Sequence, residues 1–213
     1  MTGAFADRRE GGARLAEALR RFAPERPVVL GIPRGGVVVA AEVARALDAP
    51  LDVVIPRKVG APGNPELGLG AVAPGVRVLD ERLIRDLGVS SEYLEREIEA
   101  QEREIERRSA AYRGDREPVE IAGRTTIVVD DGVATGGTAA AALRWARHAG
   151  AARVVLAVPV APRQALAALS READEVVVLA TPEPFYAVGQ WYDRFDQVSD
   201  EEVVRLLRGT ARS

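Results

Sequence analysis

Five short runs dominated by Val, Ile and Leu recur along the chain, at 27–32, 51–56, 125–130, 153–160 and 174–179. A strand with one wet face alternates apolar and polar residues. A near-continuous apolar run is what a strand covered on both faces requires. Helical patterns at 36–47, 136–149 and 162–172 lie between the runs, and Gly150 follows the second as a C-cap signal. Strand and helix in alternation predict an α/β fold with an open, doubly wound parallel sheet. A length of 213 residues suits one such domain, or one with a small appendage, and allows a full core.

Three segments break the rhythm. Residues 59–75 are rich in Gly and Pro and read as a long loop, closing in a short hairpin around 69–79. Loops of that length in compact domains tend to be functional lids or disordered. Residues 91–112 read as a strongly charged helix whose apolar residues, Leu94, Ile98, Ile105 and Tyr112, make only a narrow stripe. A solvated helix packed along one seam fits that pattern; a contact with a second copy of the chain, giving a homodimer, is the alternative. Last, Phe185, Tyr186, Trp191, Tyr192 and Phe195 crowd into residues 182–195 of a chain that is only 5% aromatic. The expected division is a core over 1–181, with the loop at about 58–75, and a C-terminal hood and tail over 182–213.

Composition removes several chemistries. There is no Cys, so disulfides, thiolate metal sites and cysteine nucleophiles are excluded. His148 is the one histidine, which leaves no room for a histidine metal site and reads as a helix C-terminal cation. The formal net charge of -3 argues against a general nucleic-acid binder. No run approaches the ~20 apolar residues of a membrane span, and the polar N-terminus lacks a signal-peptide core, so the expected compartment is the cytoplasm. Of the 29 basic residues only Lys58 is lysine, in a chain that otherwise uses Arg. A lone Lys under that bias marks either chance survival or a position where Arg's planar fork will not serve.

The most specific stretch is Ile127-Val128-Val129-Asp130-Asp131-Gly132-Val133-Ala134-Thr135-Gly136-Gly137-Thr138. A buried strand ends in two carboxylates and turns through a small, hydroxyl-bearing loop into a helix. Backbone N–H groups and Thr hydroxyls at a helix start make a cradle for a phosphate dianion. The carboxylates would repel that phosphate; they suit hydroxyl donors beside it. A second Gly-rich strand-to-helix turn, Gly31-Ile32-Pro33-Arg34-Gly35-Gly36, follows the first run. Arg57-Lys58 follows the second.

The first of these stretches closely resembles the binding signature for 5-phosphoribosyl-1-pyrophosphate (PRPP) of the type I phosphoribosyltransferases, and the resemblance extends over about 27–179. It implies that Asp130 and Asp131 bind the ribose 2′ and 3′ hydroxyls, and that Ala134, Thr135, Gly136, Gly137 and Thr138 hold the 5′-phosphate. It makes Arg34 a pyrophosphate ligand, with Gly35 and Gly36 allowing close backbone approach, and it places a cis peptide at Pro33–Arg34. Arg57 and Lys58 would reach the pyrophosphate from across the site, Lys58 as a catalytic cation. The loop after them resembles the family's flexible loop that closes over PRPP, with Glu66 as a candidate acid facing the acceptor. Phe185, Tyr186 and Trp191 would stack on the acceptor ring in the hood, and Asp193 is a candidate metal residue. Magnesium is implied as cofactor, held mostly through substrate oxygens.

The implied reaction moves ribose phosphate onto a small nitrogenous acceptor with release of pyrophosphate. The residue before Thr135-Gly136 is Ala134, where enzymes for 6-oxopurines carry an acid. That spelling, with Arg57-Lys58 and Glu66, is closer to the adenine-type enzymes, but the charged connection and the C-terminal hood depart from them. A second reading keeps the fold without the chemistry: a sensor of PRPP or a nucleotide that binds RNA or a partner protein.

Overall fold

The apolar runs form strands, and helices cover both of their faces. The computed structural model of the protein describes residues 4–209, leaving aside the side chain of Glu66. In chain order the elements are α1 (Arg8–Leu19), a 3₁₀ turn (Arg20–Glu25), β1 (Val28–Gly31), α2 (Gly35–Leu47), β2 (Leu51–Val53), β3 (Arg57–Ala61), β4 (Asn64–Ala73), β5 (Val76–Leu79), α3 (Glu81–Asp86) and α4 (Ser91–Arg113). After them come β6 (Thr125–Val129), α5 (Gly137–His148), β7 (Arg153–Val160), α6 (Arg163–Leu169), β8 (Glu175–Ala180), a short 3₁₀ turn (Val188–Trp191) and α7 (Asp200–Gly209).

The five expected runs make one parallel sheet in the order β2-β1-β6-β7-β8. Successive side chains of a strand point to opposite faces. Val29, Ile127, Val129, Val155 and Ala157 share one apolar cluster with α1, α2, α4 and α7. Val28, Leu30, Val128, Val154, Leu156 and Val158 share a second with α5 and α6. Two cores, one per face, explain why these strands are apolar throughout.

Strand order sets the position of the site. From β1 the chain moves to β2 on one side, whereas β6, β7 and β8 extend on the other. The order therefore reverses between β1 and β6, and open α/β sheets hold ligands in the crevice at such a point, beyond the carboxyl ends of the strands. Both Gly-rich turns leave from those ends.

Residues 59–75 differ from expectation: they are folded as a sheet. β3, β4 and β5 form a separate three-stranded antiparallel sheet, including the expected 69–79 hairpin as β4–β5. The glycines and prolines that suggested a loop sit where this sheet turns or is approached closely. Gly63 and Gly75 have φ of +72° and +71° beside Pro62 and Pro74. Gly70 has φ of +153°, and a β-carbon there would stand 2.2 Å from the Val78 carbonyl oxygen. This small sheet, which the resemblance would make a lid, packs between α4 and α5.

α4 is the expected charged helix. Ser90 Oγ caps it by accepting from the Tyr93 N–H, and Glu92–Arg96 and Glu104–Arg108 ion pairs line its wet side. Its seam of Ile98, Ile105 and Tyr112 is buried, with α4 packing on β3, β4 and α7, so the chain covers this stripe itself. At its end Arg113 Nε meets the buried Asp52 carboxylate at 3.0 Å and fixes the helix to β2. No helix among the described residues is long and apolar enough to cross a membrane.

Candidate functional site

The turn after β6 follows the sequence motif closely. Asp130 and Asp131 end the strand, Val133 N–H donates to the Val160 carbonyl at 3.0 Å, and α5 begins at Gly137. Among the described residues, no backbone N–H from Ala134 to Thr138 is bonded within the protein. A helix start leaves its first N–H groups without intrahelical partners, and the helix dipole favours an anion there. The cleft beside them has a volume of about 120 Å³ and is lined by Asp130 and by residues 132–136, 138 and 139. A roomier cavity, about 530 Å³, opens by the amino end of β2 between α2 and α7; Arg45, Arg116 and Arg205 stand over its alanine-rich floor. It lacks the carboxylate pair and the open N–H groups of the turn after β6.

The second Gly-rich turn lies against the first. The Pro33–Arg34 peptide is cis, as the resemblance implied. Gly35 and Gly36 are forced by contact with the acids: a β-carbon on Gly35 would fall 1.9 Å from Asp131 Oδ2, and one on Gly36 2.8 Å from Asp130 Cα. Arg34, the N-cap of α2, places Nη1 3.8 Å from Asp200 Oδ1, and the Tyr112 hydroxyl donates to the same oxygen at 2.7 Å. Burial, with the Asp200 interaction, pushes the Tyr112 hydroxyl up to about 12.

Charge at the acid pair is finely set. Burial, and after it the neighbouring Asp131, push the Asp130 carboxyl well above the ordinary carboxylate range. Burial raises Asp131 as well, against the downward pull of a hydrogen bond from Arg8. Two adjacent buried carboxyls hold a proton more tightly than either would alone in water. Among the described residues no three acids or histidines cluster as a metal cage, Asp193 included. The donors present are two hard carboxylates, which fits a magnesium ion that arrives with substrate oxygens.

Arg57 and Lys58, adjacent in sequence, part company on β3. Arg57 turns onto α4, where Nε donates to Gln101 Oε1 at 3.0 Å and burial lowers its pKa. Lys58 is exposed, its aliphatic stem lying against Gly68. Glu66 lies on β4, its side chain outside the described residues. In the hood Phe185 stacks on Trp191 with centroids 6.1 Å apart, and Tyr186 is 82% exposed. Tyr192 is buried, packs on Phe5 and donates its hydroxyl to the Asp131 carbonyl oxygen. Asp193 is exposed, and its N–H donates to the Phe5 carbonyl. His148 ends α5 as expected, beside Gly75 of the lid sheet.

Sequence reading passed over α1, whose first residue matters here. Arg8 Nε lies 2.7 Å from Asp131 Oδ2. One signal was available for the helix. Asp7 caps it by accepting from Arg9 and Glu10 N–H groups, and Glu10 three residues on completes an acidic capping pattern. Nothing local shows that Arg8 meets a residue 123 positions away.

Comparison with known proteins supplies the rest. The phosphoribosyl transferase domain family matches residues 7–184 of the chain. A Mycobacterium tuberculosis H37Rv protein provisionally named phosphoribosyl transferase Rv0571c is 47% identical over 204 residues, covering 95% of this chain and 46% of that protein. The chain thus spans about half the length of that relative. An adenine phosphoribosyltransferase of M. tuberculosis CDC 1551 is 34% identical over 174 residues, covering 79% of this chain and 66% of that protein. The crystal structure of TT1426 from Thermus thermophilus superposes with a TM-score of 0.84 at 49% identity, covering 100% of both chains.

Proposed function

The chain belongs to the phosphoribosyl transferase family, and from that premise we propose that it moves the 5-phosphoribosyl group of PRPP onto a small nitrogenous acceptor. The acceptor nitrogen bonds to ribose C1 as the C1–oxygen bond to pyrophosphate breaks; the bonding pair leaves with pyrophosphate, and the acceptor nitrogen gives up a proton. The observation that carries this reading is the row of unbonded N–H groups from Ala134 to Thr138 at the start of α5, opening on a cleft that Asp130 also lines.

That turn binds the 5′-phosphate, and the acid pair receives the ribose hydroxyls. Arg34, whose Nη1 lies 3.8 Å from Asp200 Oδ1, meets the pyrophosphate on this reading with charge-assisted hydrogen bonds. Lys58 supplies a compact cation as charge builds on the leaving group. Magnesium, arriving with PRPP, would supply charge neutralisation at the pyrophosphate oxygens, and Asp130, which lines the cleft, with Asp131 beside it, would be the carboxylates near it. Exposed Tyr186 and the neighbouring Phe185–Trp191 stack offer the acceptor rings to stack on. A relative named as an adenine phosphoribosyltransferase makes adenine the first acceptor to try.

Calorimetry with PRPP and magnesium tests the binding step. Thr138→Val should weaken phosphate binding and the double variant Asp130→Asn, Asp131→Asn should weaken the ribose contacts; unchanged affinity in both would refute the site. A panel of bases and amines, scored for pyrophosphate release, then tests the chemistry. PRPP binding with no release from any acceptor would favour the sensor over the enzyme.

A further inference from the structure

The two acids are not equivalent. Asp130 lines the cleft at the phosphate turn and Asp131 does not. Asp131 is instead held from three sides. Its Oδ2 accepts from Arg8 Nε at 2.7 Å and presses so near Gly35 that no β-carbon fits between them. Its carbonyl oxygen accepts from the Tyr192 hydroxyl of the hood.

Arg8 reaches the same hood. Its Nη1 donates to the Asp196 carbonyl at 2.7 Å, and its guanidinium carbon sits 3.7 Å from the centroid of the Phe195 ring. The side chain is only 12% exposed, so these contacts are not those of a surface arginine. One planar group thus makes an ion pair, a bond to a carbonyl and a stack on an aromatic face. A lysine could supply the charge but could not hold all three at once.

We propose that Arg8 is a positioning residue of the site, which orients the acid pair toward the ribose by fixing Asp131 and closes the aromatic hood onto that same carboxylate. The proposal rests on the phosphoribosyl reading above, since a ribose is what makes the orientation of the pair matter. It also gives α1 a purpose beyond packing: the helix delivers a cation to the sheet's switch point from the far end of the sequence. Ribose and acceptor subsites are then joined through one side chain.

Three probes separate this role from a merely structural one: inorganic phosphate, ribose 5-phosphate and PRPP with magnesium, each titrated by calorimetry. Arg8→Gln should weaken ribose 5-phosphate and PRPP by roughly tenfold or more, the scale of a lost charge-assisted bond, while inorganic phosphate keeps its affinity to within about twofold. Arg8→Lys should fall between, and it carries the same comparison should glutamine unfold the start of α1. In an Asp131→Asn background, removing Arg8 should cost nothing further if it acts through that carboxylate. Equal losses for all three probes, losses for none, or full additivity with Asp131→Asn would each overturn the positioning role. Wild-type protein that binds phosphate but neither ribose compound would instead sink the phosphoribosyl reading, and this role with it.

Discussion

The turn after β6 and the lid sheet use their backbone in opposite ways. From Ala134 to Thr138 the N–H groups find no partner in the protein. In β3, β4 and β5 they pair in an antiparallel ladder, turned tightly at Gly63 and Gly75. Every buried backbone donor must be satisfied by something, so a segment that leaves several open toward solvent is one that a ligand can complete. A segment whose N–H groups are largely paired, as along the central strand β4, offers a ligand mainly side chains. On the proposed reading the turn would bind mainly through its main chain, whereas the lid would act through individual side chains, of which Lys58 is the candidate.

The sharpest way to break that comparison is to remove Lys58. If the lid acts through this side chain on the departing pyrophosphate, Lys58→Ala should lower turnover by about tenfold to a hundredfold, the equivalent of ~1.5–3 kcal/mol, and weaken PRPP binding by less. Lys58→Arg should restore only part of the rate, because the wider fork cannot follow the leaving group as an ammonium does. Steady-state kinetics with any productive acceptor, or slow PRPP hydrolysis in its place, reads the result. A fully active Lys58→Arg would make the lone lysine an accident of composition.

Gly70 tests whether the lid is a sheet by necessity. Alanine there meets both a positive φ and the Val78 carbonyl, so unfolding in urea should show a loss of about 1–3 kcal/mol. A loop would absorb the change, and an unaltered midpoint would count against the sheet.

The smallest effect concerns the acid pair. A carboxyl whose folded pKa is raised contributes stability below its ordinary value of about 4, and that contribution is lost as pH rises through the folded value. Asp130 is raised, so the ligand-free protein should lose stability above the ordinary carboxylate range. Asp130→Asn stays neutral and should melt higher than wild type at neutral pH, with the gap closing in acid. Equal melting curves at every pH would show that the pair is no store of charge repulsion.

Much of the fold was legible because its signals are local. All five strands of the parallel sheet appear where the β-branched runs lie, since burial on both faces leaves a pattern in a few consecutive residues. The charged helix shows itself through its seam of Ile98, Ile105 and Tyr112. The lid was misread because Gly and Pro mark any tight turn, and only pairing partners distinguish a turn within a sheet from a loop. The candidate site divides along the same line. Asp130 to Thr138 are contiguous, and so is the Pro33–Arg34 turn.

By itself, then, the sequence determined the parallel sheet, the strand-to-helix turn after β6 with its two acids and the aromatic crowding of residues 182–195, each a matter of neighbours in the chain. Tertiary structure alone decided that Arg8 pairs with Asp131, that Asp200 and Tyr112 stand by Arg34, and that Arg57 turns to α4 while Lys58 stays exposed. Those contacts join residues far apart in sequence. A charge's partner is fixed by which elements the two cores press together, and no local pattern of apolar residues records that choice.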